Sequence, residues 1–217
     1  MKKDIIFFDF DGTIVDSAPG IKASVRYALR HFGIEEKREE MLNLFIGPPL
    51  FDAFSEHYNM NKEDADKAVE KYRENYNEKG AMNNFLVYDG VEEMLKTLKD
   101  EGFTVCIASA KPTPYIKKML DSVDMSKYFH TINGASFDET KRTKTAVIAD
   151  TIETNNFEKE RILMVGDREN DVTGARNCGI DILGVLYGYG DAKELSDAGC
   201  KKLAKTPDEV VKIIMNQ

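Results

Sequence analysis

The sequence has no apolar run long enough to serve as a signal peptide or a membrane span. Basic residues number 30 against 38 acidic ones, and this balance argues against a general nucleic-acid binder, which normally presents a basic face. The three cysteines, Cys106, Cys178 and Cys200, are odd in number and widely spaced, so we expect buried free thiols rather than disulfides or a zinc site. Internal repeats and low-complexity segments are also lacking. These absences predict a cytoplasmic protein that binds neither nucleic acid nor a membrane.

The overall composition is that of a globular chain with a sizeable core. Of the 217 residues, 42% are hydrophobic and 31% are charged, which suits one large domain or two unequal ones. The net charge of −8 does not exclude anionic substrates, because a metal ion or a few lysines can reverse the field inside one cleft. An enzyme of small metabolites fits this balance.

Four short apolar runs predict buried strands. Each run after the first follows a helix-like stretch and a turn, and the runs cover residues 5–8, 103–108, 161–165 and 181–185. Continuous apolar strands that alternate with helices are typical of parallel sheets covered on both faces. We therefore predict an α/β fold with a doubly wound, mostly parallel sheet and a Rossmann-like core, in which ligands bind at the carboxyl ends of the strands.

One long segment departs from this alternation. Residues 20–79 are helical in pattern and contain no strand-like run, so we predict an all-helical cap inserted after the first strand. The predicted catalytic core then comprises residues 1–16 and 86–217, and the cap comprises residues 17–85. Within the cap, the FIGPPL stretch is either a simple helix connection or a stiff loop that contacts the leaving group. We favour the second interpretation and assign Gly47 and Pro48 to substrate binding.

Polar side chains follow the predicted strands at the edge where ligands are expected. The first strand leads into Asp9 and Asp11, two like charges whose proximity calls for a cationic partner. The other polar groups near this edge are Ser109, Lys111, Lys144, Asp167 and Asp171. Hard oxygen ligands from Asp9 and Asp167 suit Mg²⁺, which binds a substrate phosphate at the same time. The set predicts magnesium-assisted phosphoryl transfer.

Four motifs make the chain similar to a known family. They are DFDGT at residues 9–13, IASAK at residues 107–111, Lys144 within KRTKTAVI, and GDREND at residues 166–171. In this order they resemble the haloacid dehalogenase superfamily, in its phosphatase branch with a small helical cap. The resemblance spans nearly the whole chain. It extends to phosphoglycolate phosphatases and 5'-nucleotidase-like members, which share the cap type and stretches like IGPPL and SAKP.

The resemblance implies a role for each motif residue. Asp9 would attack phosphorus and form an aspartyl-phosphate, and Asp11 would protonate the leaving oxygen and later accept a proton from water. Ser109 and Lys144 would hold the phosphoryl oxygens. The implied Mg²⁺ ligands are Asp9, Asp11 through its backbone carbonyl, Asp167 and Asp171, the last directly or through a water. Further substrate contacts are assigned to Gly12, Thr13, Ala110 and Lys111.

Several alternatives stay open at this point. Lys111 competes with Lys144 as the principal phosphate-binding lysine, and Arg168 and residues 187–191 could line the cleft. Crowded carboxylates raise the pKa of Asp11 while a metal lowers it, and the sequence does not decide which effect dominates.

The expected activity is Mg²⁺-dependent hydrolysis of a small phosphorylated metabolite, phosphoglycolate or a nucleoside monophosphate, by a monomer or homodimer. A sugar-phosphate mutase and a non-catalytic binding protein of the same fold are the competing hypotheses. A true dehalogenase is disfavoured, because it needs one aspartate nucleophile and no metal, whereas this chain also has Asp11, Asp167 and Asp171.

Overall fold

The computed structural model describes residues 3–136, 141 and 143–216. Contacts within the chain divide it into two compact units. One consists of Met1–Val15 with Val87–Gln217, and the other is Asp16–Leu86. The first is an α/β unit and the second is helical.

In chain order, the strands are β1 (Ile5–Phe8), β2 (Val15–Asp16), β3 (Leu86–Val87), β4 (Thr104–Pro112), β5 (Thr131–Ala135), β6 (Ile162–Gly166), β7 (Asp181–Val185) and β8 (Leu203–Ala204). The helices are α1 (Ala18–His31), α2 (Glu39–Asn43), α3 (Leu50–Tyr58), α4 (Lys62–Arg73), α5 (Val91–Asp100), α6 (Thr113–Ser122), α7 (Lys144–Asn155), α8 (Glu169–Cys178), α9 (Ala192–Asp197) and α10 (Pro207–Met215). A π-helical turn, Glu74–Glu78, continues α4. In the described part of the chain, no helix is long and apolar enough to cross a bilayer.

The α/β unit is built on a six-stranded sheet in the order β5-β4-β1-β6-β7-β8, and every neighbouring pair is parallel. The predicted doubly wound α/β fold is therefore confirmed. Phe8, at the end of β1, is in register with Ile107 on one side and Val165 on the other. The strands that follow β1 in the chain lie on both sides of it, β4 and β5 on one side and β6, β7 and β8 on the other. The carboxyl end of β1 is therefore at the point where the strand order reverses, which is where α/β proteins bind ligands.

Both faces of the sheet are buried, as its apolar strands require. Ile5 and Phe7 pack in one cluster with Val147 and Ile148 of α7 and Ala175 of α8. Ile6 and Phe8 alternate with Ile5 and Phe7 along β1, so their side chains lie on the opposite face of the sheet, where they are fully buried. All three cysteines are buried and free, as expected. Strands β5 and β8 form the two edges of the sheet, and the sequence patterns did not predict them.

The helical unit has a core of its own. Helix α1 packs against α4, and α3 packs against α4. The rings of Tyr72 and Tyr76 stack with their centroids 5.4 Å apart, and both side chains are buried. Their four-residue spacing places them on one helical face, where they contribute to the core.

Candidate active site

Asp9 lies directly after β1 and is buried, with 7% of its surface exposed. Its backbone amide continues the strand pairing by donating to the Val165 carbonyl at 2.9 Å. The side-chain Oδ1 accepts the Phe10 amide at 2.7 Å and lies 2.6 Å from Lys144 Nζ. A buried carboxylate in this position is stabilised by the adjacent ammonium, because an isolated buried charge is costly.

Lys144 is the first residue of α7, whose amino end is capped by the Thr143 side chain accepting the Ala146 amide. Its ammonium contacts three acceptors: Asp9 Oδ1 at 2.6 Å, Asp171 Oδ1 at 2.8 Å and the Ala108 carbonyl at 3.2 Å. The ammonium therefore forms ion pairs with two carboxylates and donates a hydrogen bond to one carbonyl. In the sequence Lys144 follows the basic residues Lys141 and Arg142, yet it is buried, with 4% of its surface exposed.

Asp171 has two roles in the structure. It is the third residue of α8, and its Oδ2 accepts the backbone amides of Asp167 and Arg168, each at 3.1 Å. Its Oδ1 pairs with Lys144. Asp171 therefore caps the helix and also belongs to the site.

Asp167 follows β6 and is fully buried. Its Oδ1 accepts from the Thr13 hydroxyl at 3.1 Å, and its Oδ2 accepts from the Tyr189 backbone amide at 2.8 Å. Two other turns thus hold this carboxylate, one after β1 and one after β7.

The electrostatics of the cluster are unbalanced. Burial raises the pKa of Asp167 to about 8, and the Asp171 and Asp9 carboxylates add to the rise. Burial and Asp9 also raise the pKa of Asp171, to about 6, although Lys144 opposes them. Burial alone would lower the pKa of Lys144, but Asp171 and Asp9 outweigh it and hold that pKa above its usual value. Among the described residues, Lys144 therefore pairs with two of these three buried carboxylates, Asp9 and Asp171.

This donor set fits a divalent cation. Asp9, Asp167 and Asp171 each offer an oxygen, and these three oxygens all lie within 4.8 Å of one another. Carboxylate oxygens are the ligands that Mg²⁺ takes in phosphoryl-transfer sites. A divalent cation would also balance the charge that Lys144 leaves uncompensated.

A second pair of opposite charges lies beside the first. Lys111, at the end of β4, places Nζ 3.0 Å from Oδ1 and 3.2 Å from Oδ2 of Asp11. The turn from Asp11 depends on Gly12, whose φ of +84° is strained for residues with side chains and whose amide donates to the Val15 carbonyl at 2.8 Å. A Cβ on Gly12 would also lie under 3.0 Å from the Asp167 carboxylate.

The remaining predicted residues lie in three different places. Ser109 is buried in β4 and its hydroxyl accepts the Lys111 amide at 3.3 Å, with Ala110 half-buried between them. Gly47 and Pro48 are exposed in the loop between α2 and α3 of the helical unit, so their assignment to substrate binding stays a proposal. Arg168 pairs with Glu194 at 2.7 Å, where its charge is engaged by a carboxylate.

Two contributors to the site were missed by sequence reasoning. The Ala108 carbonyl is a backbone group, which no residue type reveals, whereas the Tyr189 amide lies in the segment 187–191 that the sequence suggested as cleft lining. Gly174 in α8 is the second: a Cβ there would lie 2.7 Å from Cγ of Lys144. A glycine inside a helix is costly, and this could have signalled a close contact.

Comparison with known proteins identifies the family. Residues 6–185 match the model of the haloacid dehalogenase-like hydrolases. The chain belongs to this family. The expectation that it is a phosphatase is confirmed, since similar proteins and structures are named phosphatases.

The similar proteins carry different names. A 5'-nucleotidase of Pseudomonas aeruginosa is 36% identical over 190 residues, which cover 88% of this chain and 86% of that protein. The tyrosine-protein kinase PtkA of Mycobacterium tuberculosis is 35% identical over 87% of this chain, but the match spans only 64% of its length. A phosphoglycolate phosphatase of Vibrio parahaemolyticus is 25% identical, with 97% and 95% covered. Among solved structures, a protein of Clostridium acetobutylicum described as a predicted phosphatase superposes with a TM-score of 0.94, at 39% identity and with both chains fully covered.

Proposed function

We propose that the chain is a Mg²⁺-dependent phosphomonoester hydrolase that acts through an aspartyl-phosphate on Asp9. Its substrate would be a small phosphorylated metabolite. The observation that carries the proposal is the buried cluster of Asp9, Asp167 and Asp171, in which the Lys144 ammonium pairs with two of the three carboxylates, Asp9 and Asp171. Burying several carboxylates is unfavourable unless a further cation neutralises their charge. Phosphoryl transfer is a reaction in which a bound metal cation takes part.

In the first step, an Asp9 carboxylate oxygen attacks phosphorus as the bond from phosphorus to the leaving oxygen breaks. We assign the attack to Oδ2, since Oδ1 is held by the Phe10 amide and by Lys144. Asp11 gives its proton to the leaving oxygen. Lys144 stabilises the negative charge between nucleophile and phosphoryl group. This stabilisation is strong because the ammonium is buried, where water does not screen its charge.

In the second step, water attacks the phosphorus of the aspartyl-phosphate and the bond to Asp9 breaks, which releases inorganic phosphate. Asp11, now ionised, takes the proton of that water. Lys111, 3.0 Å from Asp11 Oδ1, stabilises the ionised state between the two steps.

The residues Asp9, Asp167 and Asp171, with the Asp11 carbonyl, would hold Mg²⁺. When bound, the ion would neutralise charge on the phosphoryl oxygens. The chain's own contribution is to keep these carboxylates buried and oriented through the Thr13, Tyr189 and Arg168 contacts.

Phosphoglycolate and nucleoside monophosphates are the substrate classes that we propose first. Two relatives whose names refer to these substrates support that choice. The test is a panel of phosphorylated metabolites at fixed Mg²⁺, ranked by kcat/KM from released phosphate. Failure to hydrolyse any member, or a generic aryl phosphate, would leave the non-catalytic hypothesis.

The intermediate can be tested separately. Rapid quenching during turnover, followed by borohydride reduction, should convert residue 9 to homoserine, which peptide mass spectrometry detects. A mutase would form the same intermediate but return the phosphoryl group to the substrate. Stoichiometric release of inorganic phosphate therefore distinguishes the hydrolase from the mutase.

Phosphoryl transfer to a tyrosine hydroxyl is a second candidate, favoured by the 35% identity to PtkA. The two candidates differ in the acceptor of the phosphoryl group. Incubation with γ-labelled ATP and a tyrosine-containing peptide should give no labelled phosphotyrosine if the chain is a phosphomonoester hydrolase. Label in phosphotyrosine would support the kinase instead.

A further inference from the structure

The turn after β7, residues 187–190 with the sequence YGYG, touches no reacting atom in the steps described above. Its Tyr189 amide nevertheless donates to Asp167 Oδ2 at 2.8 Å. The carboxylate is thus held by a backbone group 22 positions away along the chain. We call these four residues the Gly188 turn.

The two glycines of the turn approach Asp167 more closely than any other residue type could. A Cβ on Gly188 would lie under 3.0 Å from both the Gly12 carbonyl oxygen and the Asp167 carboxylate. A Cβ on Gly190 would collide with the Asp167 carbonyl oxygen. Both obstacles are backbone atoms or a fixed carboxylate, so neither could move aside cheaply.

The hydrogen bonds to Asp167 come from two different turns. Thr13 Oγ1, after β1, binds Oδ1, and the Tyr189 amide binds Oδ2. Each carboxylate oxygen has two lone pairs, so one stays available on each for a cation. The orientation of the group is therefore set before any ion binds.

We propose that the Gly188 turn is a positioning element that orients Asp167 for the cation, so that its glycines are required for metal affinity and not only for folding. This inference rests on the proposed function, because the cation is the Mg²⁺ assigned there. Loss of a group that orients a metal ligand typically weakens metal binding by about 10–100-fold. A turn that merely filled space would affect stability alone.

The test compares Gly188→Ala with a matched control, Gly184→Ala. Gly184 lies on β7 and is also buried, but a Cβ there meets the ends of the Leu203 and Leu195 side chains, away from Asp167. Mg²⁺ binding is measured by calorimetry on the full chain without substrate, alongside the melting temperature. We expect the dissociation constant to rise about 10–100-fold in Gly188→Ala and to stay at the wild-type value in Gly184→Ala.

A folded Gly188→Ala protein with wild-type Mg²⁺ affinity would overturn the inference and leave the proposed function intact. Wild-type protein that binds no Mg²⁺ would overturn both. If Gly188→Ala does not fold, hydrogen exchange on the wild type decides: Mg²⁺ should slow exchange of the Tyr189 amide several-fold, because the ion fixes its acceptor. Exchange that Mg²⁺ leaves unchanged would refute the inference.

Discussion

The ammonium of Lys111 spans both oxygens of Asp11, at 3.0 and 3.2 Å, while the ammonium of Lys144 contacts Asp9 and Asp171. The two lysines that the sequence left in competition therefore have different partners. Lys144 lies next to the proposed nucleophile, and Lys111 lies next to the proposed acid and base. This division leads to distinct predictions for the two carboxylates and for Lys111.

Replacing Asp9 by Asn should abolish turnover, because an amide is a poor nucleophile and cannot form the acyl-phosphate. The measurement is phosphate release at saturating Mg²⁺. Asp150→Asn is the matched control, since Asp150 pairs with Lys141 at 2.8 Å and has no part in the mechanism. Turnover by Asp9→Asn that approached the control's would refute the nucleophile assignment.

Replacing Asp11 by Asn should lower kcat by roughly 10²–10⁴-fold, the usual contribution of a general acid and base. The loss should be smaller for p-nitrophenyl phosphate than for an alkyl phosphate, because nitrophenolate leaves without protonation. Rates with both substrates test this. An equal loss for the two leaving groups would contradict a role in protonating the leaving oxygen.

Replacing Lys111 by Met should lower kcat/KM by roughly 10–100-fold, since hydrogen bonds to charged groups contribute about 1.5–3 kcal/mol. The effect should be larger for phosphoglycolate, whose leaving group is anionic, than for a neutral alkyl phosphate of similar size. Lys141→Met is the control, because Lys141 pairs with Asp150 outside the cluster. If Lys111→Met lowers kcat/KM no more than Lys141→Met does, the assignment is wrong.

The centre of the sheet could be predicted from the sequence, but its edges could not. Strands β1 and β6 are continuous apolar runs, and β7 is apolar after Asp181, because helices cover both faces there. Strand β5 reads TINGA, and β8 has two residues. Short edge strands with polar residues and glycine lack the apolar pattern, because they are less buried and pair on one side only.

The residues of the site could be found from their spacing, whereas their pairing could not. Three motifs at strand ends and Lys144 at the start of α7 indicated the carboxylates and lysines, since parallel strands bring their carboxyl ends together. Which lysine meets which aspartate depends on where α7 begins and on a register shift in β4 near Ser109. The need for Gly174 and Gly188 arises from contacts with distant segments, which no local pattern encodes.

Stability of the metal-free protein should fall as pH rises. Asp167 has a pKa of about 8 in the folded protein, against about 3.9 for a free aspartate, so the folded state holds a proton that the unfolded chain has lost. The contribution of Asp167 to folding stability is complete below the pKa of aspartate in the unfolded chain, and it is lost as pH rises through about 8. Melting temperatures in EDTA between pH 6 and 9 should therefore decline.

Mg²⁺ should reverse this decline, because it supplies the charge that the ionised cluster lacks. Its stabilising effect on the melting temperature should grow between pH 6 and 9. Asp167→Asn removes the titrating carboxyl, so its melting curve should depend less on both pH and Mg²⁺. A stabilisation by Mg²⁺ that Asp167→Asn retains in full would show that the ion binds elsewhere.

The helical unit contains an ion pair with the opposite pH dependence. Glu36 is buried, and its carboxylate accepts from Arg38 Nε at 2.9 Å, Arg38 Nη2 at 2.6 Å and the Tyr58 hydroxyl at 2.9 Å. The Arg38 hydrogen bonds lower the pKa of Glu36 to about 2. Its stabilising contribution is therefore complete above the unfolded pKa, and it is lost as pH falls through about 2.

Glu36→Gln should lower the melting temperature at pH 7, because an amide cannot accept the same set of charged hydrogen bonds. The difference from wild type should shrink as pH falls below about 4.3, where the unfolded carboxyl takes up its proton. Glu39→Gln is the control: Glu39 also forms ion pairs, with Lys22 at 3.1 Å and with Arg26, but its side chain is exposed, so its loss should have little effect. A deficit in Glu36→Gln that is as large at pH 3 as at pH 7 would mean that packing, and not charge, stabilises this part of the helical unit.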